Sequence, residues 1–327
     1  MTRRTDTYRQ PNLKTRCAIG IAEGLLFIAL AVLSTMPLVC QIHSQLPIGT
    51  EPSASVPLLN LWTLGWNVDR LRHGYRGYWD APMYYPTRGT LALSEPQTAA
   101  GWIAWPLWQL LPGAVSVYNV LLLLLLALNG WVTCQLLKRL GLVRPAALAG
   151  GAMVGVLPLV HWQLGVLQLV SLWGIGWTFY ALHGALRRRR LRDGLHVGLA
   201  FSCTYLLCCY YGVMLSMLLL LCAPIWCGKR LFERRFWRCC GVALLTPAVL
   251  LGPVVVPQVV SAQRHAVDFP REVIGRLSVV PADYWTTPGR QWLPLPHLPR
   301  GDDYPVWPLS PGTLKIVFAA VGGVWGW

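Results

Sequence analysis

Three carboxylates between residues 40 and 100 are the side chains best suited to act as a general base. Glu51 stands in "PIGTEPSASVPLLNLW", Asp80 in "GYWDAPMYYP" and Glu95 in "LSEPQ". Their neighbours include proline and aromatic residues, and partial burial in such surroundings can raise the pKa of a carboxyl group toward that of a working base. We predict Glu51 and Asp80 as catalytic residues and Glu95 as a substrate-binding residue.

Three arginines and three aromatic residues could bind a phosphorylated sugar. Arg88, Arg264 and Arg276 are candidates for a phosphate clamp, because a guanidinium group can bind two phosphate oxygens at once. Anchoring at the membrane interface is the competing interpretation for each. Trp79, Tyr84 and Tyr85 can stack on a sugar ring, and equally they can form an aromatic belt at the membrane surface.

Three further substrate-binding candidates lie at predicted turns between apolar segments. His161 stands in "LPLVHWQLGVLQLV", and Tyr210 and Tyr211 stand in "CCYYGVM". A single histidine in such a place is more often a hydrogen-bonded polar residue than a catalyst. Asn129, in "LNGW", is expected to bridge helices.

The motifs of the common soluble chemistries are missing from the sequence. There is no Walker A loop, Gly-x-Ser-x-Gly elbow, His-Glu-x-x-His pair or Asp-x-Asp motif. The ten cysteines lie mostly in or beside apolar runs, where they act as small apolar side chains. We therefore predict neither a metal site nor a bound cofactor.

The composition is that of a multi-span membrane protein. Apolar residues make up 54% of the chain and charged residues 13%, against about 25% charged residues in a typical soluble domain. The net charge of +15 could suit a nucleic acid, but the basic residues form short clusters between apolar runs, as in cytoplasmic loops. The expected partner is therefore the lipid bilayer and not a nucleic acid.

The apolar segments predict an all-α polytopic membrane protein of about eight transmembrane helices. The last of them, at residues 313–327, is shorter than the about 20 residues that a span needs and is interpreted as the start of a truncated span. The eight segments cover roughly residues 17–39, 101–137, 145–164, 166–186, 195–209, 210–228, 238–261 and 313–327.

Clusters of basic residues predict the orientation. The tail at residues 1–16 and the clusters at 138–144, 187–192 and 229–238 should all be cytoplasmic by the positive-inside rule. The N-terminus then lies inside, residues 17–261 form the transmembrane module, and its first outer loop at 40–100 lies outside together with a second loop at 262–312. Short loops, and no targeting signal beyond the first span, indicate a bacterial inner (plasma) membrane.

The first outer loop should carry an interfacial amphipathic helix at residues 57–72. Leu58, Leu61, Trp62, Gly65, Val68 and Leu71 recur at helical spacing. The opposite face is expected to hold Asn60, Asn67, Asp69, Arg70 and Arg72, and the tryptophans suit a membrane surface.

A basic tail, a first span, a long outer loop with an early acid and surface helices, and then paired spans together resemble the GT-C class of membrane glycosyltransferases. This class includes protein O-mannosyltransferases and aminoarabinose transferases. The run "GYWDAPMYYPTRGTLALSEPQTAAGWIAWPL" is similar to the first-loop pattern of the YfhO-like proteins. The resemblance covers about residues 17–262.

The resemblance implies that a sugar passes from a polyprenyl-phosphate donor to an acceptor on the outer face. A first-loop carboxylate would be the general base, and basic side chains would steady the leaving phosphate. The early acid of the class corresponds to Glu51, where relatives more often have aspartate, and Asp80 is the second candidate.

Two other functions stay open. A non-catalytic scaffold or assembly protein would need no particular carboxylate. A transporter subunit would be expected to carry ionisable residues in mid-span, and these are nearly absent here apart from His161 and His183 near span ends.

Overall fold

The computed structural model describes residues 12–49, 54–265, 270–286, 309–311 and 313–325. All regular secondary structure in these ranges is helical, which confirms the predicted all-α class. In chain order the α-helices are α1 Leu13–Ser34, α2 Ser55–Arg72, α3 Thr98–Leu110, α4 Ala114–Arg139, α5 Arg144–Gly155, α6 Pro158–Trp162, α7 Leu167–Val170, α8 Trp173–Arg188, α9 Leu191–Leu207, α10 Cys209–Cys227, α11 Arg234–Arg264, α12 Arg271–Leu277 and α13 Thr313–Trp325.

Among the described residues, four helical segments are long and apolar enough to cross a membrane. They are Cys17–Ser34, Ala114–Arg139, Arg144–Trp162 and Arg234–Arg264. Among the other predicted spans, α8 has 16 residues and α9 has 17. The expected total of eight spans therefore stays a prediction.

In the described ranges three of the predicted spans are interrupted, and one of them, at 145–164, is divided into α5 and α6. The apolar segment at 101–137 forms two helices, α3 and α4, separated by a turn in which Gly113 has a φ of +80°. The segment at 166–186 begins with the four-residue helix α7 and continues, after Ser171 and Leu172, as α8. Glycine is favoured at a positive φ because it has no Cβ to clash with the backbone.

Ion pairs gather the basic clusters at one end of the helices, which we call the basic end. The buried carboxylate of Glu23 in α1 binds Lys138 Nζ at 2.5 Å and Arg144 Nε at 3.1 Å. At the same end Arg188 pairs with Asp193, and Arg189 pairs with Glu233. Tertiary contacts thus bring together charges that are far apart in sequence.

The first loop and the opposite helix termini meet at the other end, which we call the loop end. Asn119, near the start of α4, donates from Nδ2 to the carbonyl oxygens of Ile42 and Gln45 at 2.9 and 2.8 Å. Near the end of α11, Ser261 Oγ donates to the Gly89 carbonyl oxygen at 3.0 Å. Helix α4 therefore runs from the loop end to the basic end, and α11 runs from the basic end to the loop end.

Small residues allow α1, α4 and α5 to pack closely. A Cβ placed on Gly151 of α5 would collide with the backbone oxygen of Gly130 in α4, and it would lie 2.8 Å from the ring of Phe27 in α1. Helices in membranes commonly use such small residues where their backbones approach each other.

Asn129 joins α4 to the break between α7 and α8, as predicted. Its Nδ2 donates to the Val170 carbonyl oxygen at 2.7 Å, and its Oδ1 accepts from the backbone N–H groups of Leu172 and Trp173 at 2.9 and 2.8 Å. The side chain therefore satisfies backbone groups that the helix break leaves without helical partners.

The helix predicted at residues 57–72 exists as α2, but the predicted position of two polar residues is wrong. Asn60 and Asn67, expected on the outward face, are 2% and 1% exposed. Leu58, expected on the apolar face, is 52% exposed. Both asparagines can be buried because hydrogen bonds satisfy their amide groups, as the next subsection describes.

Candidate functional site

A tight turn in the first loop carries Asp80 and is closed by hydrogen bonds between residues 79–83 and 89–91. Asp80 Oδ1 accepts from the Gly89 N–H at 2.9 Å. Thr90 Oγ1 donates to the carbonyl oxygens of Ala81 and Met83 at 3.2 and 2.9 Å. Asp80 itself is exposed, so its carboxylate is held in place and still reaches solvent.

The turn is fastened to the end of α11. The Ser261 hydroxyl donates to the carbonyl oxygen of Gly89, the residue whose N–H binds Asp80. Arg88 precedes this glycine, and Arg264 lies one helical turn after Ser261; both arginines are exposed. Two of the three predicted phosphate-binding arginines thus lie on segments that are joined by a hydrogen bond.

A groove of about 470 Å³ opens beside the turn. One side is formed by the turn itself, and the other by the start of α2 and the end of α11. Its lining is mostly apolar, with hydroxyl groups and one imidazole: Leu59, Met83, Tyr84, Thr87, Thr90, Leu93, Ser94 and His265. Such a surface can accept an apolar chain and a polar group together.

Glu95 has a different position from Asp80. Its carboxylate lies at the N-terminus of α10, where it accepts the backbone N–H groups of Cys209 at 3.0 Å and Tyr210 at 3.3 Å. Burial raises the pKa of Glu95 above its usual value, and the two N–H donors offset part of that rise. A carboxylate at this position caps the helix and complements its dipole.

Pro96 and Gln97 continue the same segment into a buried polar network. Gln97 Nε2 donates to Asn60 Oδ1 at 2.5 Å and to Gln168 Oε1 at 3.2 Å. The Pro96 carbonyl oxygen accepts from Asn67 Nδ2 at 2.7 Å. The "EPQ" segment therefore ties the first loop to α2, α7 and α10.

Tyr78 completes this network from the turn. Its hydroxyl donates to Asn67 Oδ1 at 2.7 Å and lies 2.9 Å from Thr98 Oγ1. Burial raises the pKa of this phenol, so it stays protonated and remains a donor. The network makes the loop a packed part of the helical assembly.

The remaining predicted site residues fall into two groups. His161 and Tyr211 make hydrogen bonds that bridge helices. His161 Nε2 and Ser34 Oγ are 3.0 Å apart, and the Tyr211 hydroxyl donates to the Leu169 carbonyl oxygen at 2.7 Å. The aromatic rings of Tyr84, Tyr85 and Tyr210 are exposed, and Trp79 is half-buried against Tyr78. Glu51 lies outside the described residues.

The sequence reasoning missed His265 in the groove and the buried roles of Asn60, Asn67 and Gln97. The spacing of Asn60 and Asn67 in the sequence could have indicated a shared environment for these two residues, because residues seven positions apart lie on the same face of a helix. Within the described ranges, no group of three or more His, Cys, Asp or Glu residues could hold a metal ion.

No protein-family model, curated protein or solved structure matches this chain.

Proposed function

We propose that this chain is a multi-pass membrane glycosyltransferase-like enzyme that works at its loop end. It would span the bacterial inner membrane about eight times, with the basic end in the cytoplasm and the loop end outside. The donor would be a sugar on a polyprenyl phosphate. The observation that carries the proposal is the junction at Gly89, the residue after Arg88, which binds Asp80 through its N–H and Ser261, near the end of α11, through its carbonyl oxygen.

The junction provides the groups that sugar transfer needs. A first-loop carboxylate, Asp80 or the undescribed Glu51, takes the proton from an acceptor hydroxyl as its oxygen attacks the anomeric carbon. The bond from that carbon to the phosphate oxygen breaks, and the polyprenyl phosphate leaves with the electron pair. Arg88 and Arg264 would bind the charge on the phosphate.

The groove and the tyrosines beside it suit the two parts of such a donor, the isoprenoid chain and the sugar. Leu59, Met83 and Leu93 offer an apolar surface to the first isoprene units. The rings of Tyr84 and Tyr85 are 77% and 86% exposed, so they are free to stack on a sugar ring.

A non-catalytic scaffold is the second candidate, and a specific observation favours it. The side chains of Glu95, His161 and Tyr211 all form hydrogen bonds that join separate segments of the chain. These side chains stabilise the assembly whether or not a substrate binds. A transporter subunit has no comparable observation in its favour.

The deciding experiment measures transfer of radiolabelled sugar from polyprenyl-phosphate donors in membranes that contain the protein. The variants are Asp80→Asn and Glu51→Gln, with Asp69→Asn as the control. In Asp80→Asn the amide retains an oxygen that can accept the Gly89 N–H, so the turn is kept while the base is lost. Asp69 lies in α2, where its hydrogen bond to Arg70 lowers the pKa of its carboxyl group, so it is not expected to act as the base.

We expect the wild type and Asp69→Asn to transfer sugar, and one of the other two variants to lose roughly 10²-fold or more of that activity. Equal transfer by all four proteins would exclude both carboxylates as the base. Absence of transfer by the correctly inserted wild type would favour the scaffold.

A further inference from the structure

A second cavity, of about 750 Å³, lies at the basic end between the last turns of α4 and α8. Its lining consists of three cationic and two neutral polar side chains and contains no carboxylate: Lys138, Arg139, Arg188, Gln135 and Tyr180. None of these residues contributes to the groove at the loop end. The cavity is therefore a separate site with its own chemistry.

Two buried carboxylates behind the lining hold two of the cations in place. Glu23, 1% exposed, lies 2.5 Å from Lys138 Nζ. Asp193, 3% exposed, accepts from Arg188 Nε at 3.1 Å and from Arg188 Nη2 at 2.5 Å. One cation is thus fixed on α4 and one on α8, before any ligand is present.

Arg139 is the third cation and has no acidic partner among the described residues. Its guanidinium carbon lies 4.0 Å from the centre of the Tyr180 ring. A Cβ added to Gly184 would collide with Arg139 Nη2 and would lie 2.8 Å from Arg188 Nη2. The two guanidinium groups therefore converge on the space above this glycine, where two like charges repel unless an anion lies with them.

We propose that this cavity binds the phosphate of an anionic phospholipid headgroup. Guanidinium groups present paired N–H donors that match phosphate oxygens, and Lys138 adds a point charge. The local charge also favours an anion, because in the described part of the chain the three cations Lys138, Arg144 and Arg188 form ion pairs with two carboxylates, Glu23 and Asp193, and Arg139 adds a fourth positive charge. A bound anion would reduce this excess of positive charge.

The place of the cavity in the fold favours a lipid over a soluble phosphate. Gln135, Lys138 and Arg139 stand in the last turns of Ala114–Arg139, one of the four membrane-length helices. The end of a spanning helix lies at the depth of lipid headgroups, and basic pockets between helices at this depth suit anionic lipids.

The test titrates the full-length protein in an uncharged detergent and follows ligand binding by native mass spectrometry. The three probes are phosphatidylglycerol, phosphatidylcholine and glycerol 3-phosphate. The variants are Arg139→Gln and Gly184→Ala, with Arg187→Gln as the matched control. Arg187 is exposed on the same helical turn and does not line the cavity, so this control removes the same charge from outside the site.

Gly184→Ala keeps every charge and places a methyl group where the two guanidinium groups converge. Alanine is also a better helix former than glycine, so this variant should fold even if Arg139→Gln does not. Elution as a single species in gel filtration checks the fold of each variant.

We expect phosphatidylglycerol to bind the wild type and Arg187→Gln equally, and Arg139→Gln and Gly184→Ala at least about tenfold more weakly. Phosphatidylcholine should bind the wild type more weakly than phosphatidylglycerol does. Equal affinity of phosphatidylglycerol for all four proteins would overturn the site. Glycerol 3-phosphate binding as tightly as phosphatidylglycerol would overturn the assignment to a lipid.

Discussion

Replacing Asn129 with alanine should destabilise the protein by about 2 kcal/mol. The side chain is fully buried in α4 and makes three hydrogen bonds to the backbone around the α7–α8 break, at 2.7, 2.9 and 2.8 Å. Interhelical hydrogen bonds inside membrane proteins average about 0.6 kcal/mol each, so three give about 2 kcal/mol. Alanine would also leave the carbonyl group of Val170 and the N–H of Trp173 without this partner.

Thermal unfolding in detergent, followed by a thiol-reactive dye that detects the buried cysteines, would measure this loss. The matched control is Thr133→Ala, one turn along the same helix, whose hydroxyl bonds only within α4, to the Asn129 carbonyl oxygen at 2.7 Å. We expect Asn129→Ala to lower the midpoint by several degrees and Thr133→Ala to change stability by less than about 0.5 kcal/mol. Equal midpoints for the two variants would refute the role assigned to Asn129.

Two further predictions concern the loop end and the helix core. Glu95→Ala should fray the first turn of α10, at a cost of about 0.5–2 kcal/mol, and speed maleimide labelling of the buried Cys208; unchanged labelling would contradict the capping role. Because burial raises the Glu95 pKa above 4.5, its stabilising effect is complete below that pH and is lost as the pH rises through the raised pKa. The midpoint difference between wild type and Glu95→Ala should therefore be larger at pH 4.5 than at pH 8. Gly151→Val should destabilise the protein by about 1–3 kcal/mol, because the valine side chain would overlap Gly130 and Phe27. An unfolding midpoint equal to that of the wild type would contradict close packing of α4 against α5 at this position.

Some features of the candidate site could be predicted from local sequence. The helix at 57–72 follows from apolar spacing, and the exposed tyrosines Tyr84 and Tyr85 follow from their place in a Pro-rich loop. Periodicity shows which residues share a helical face, but it does not show which face meets the rest of the protein. For that reason periodicity places Asn60 and Asn67 outside, although their partners lie inside.

The role of Glu95 could not be predicted because its partners are more than a hundred residues away. The N–H groups it accepts belong to Cys209 and Tyr210, and no local pattern connects "SEPQ" with "CCYY". The position of Asp80 could not be predicted for the same reason. Its carboxylate accepts a hydrogen bond from Gly89, nine residues later, and the carbonyl oxygen of that glycine accepts one from the distant Ser261.

The sequence by itself determined the all-helical class, the apolar segments and the clustering of basic residues, because these follow from composition and from periodicities a few residues long. Only the tertiary structure decided that Glu95 caps a helix, that the segments carrying Arg88 and Arg264 are joined by the Ser261–Gly89 hydrogen bond, and that Arg139 and Arg188 converge over Gly184. The physical reason is that each of these arrangements depends on contacts between segments distant in the chain. Such contacts form only when the helices pack.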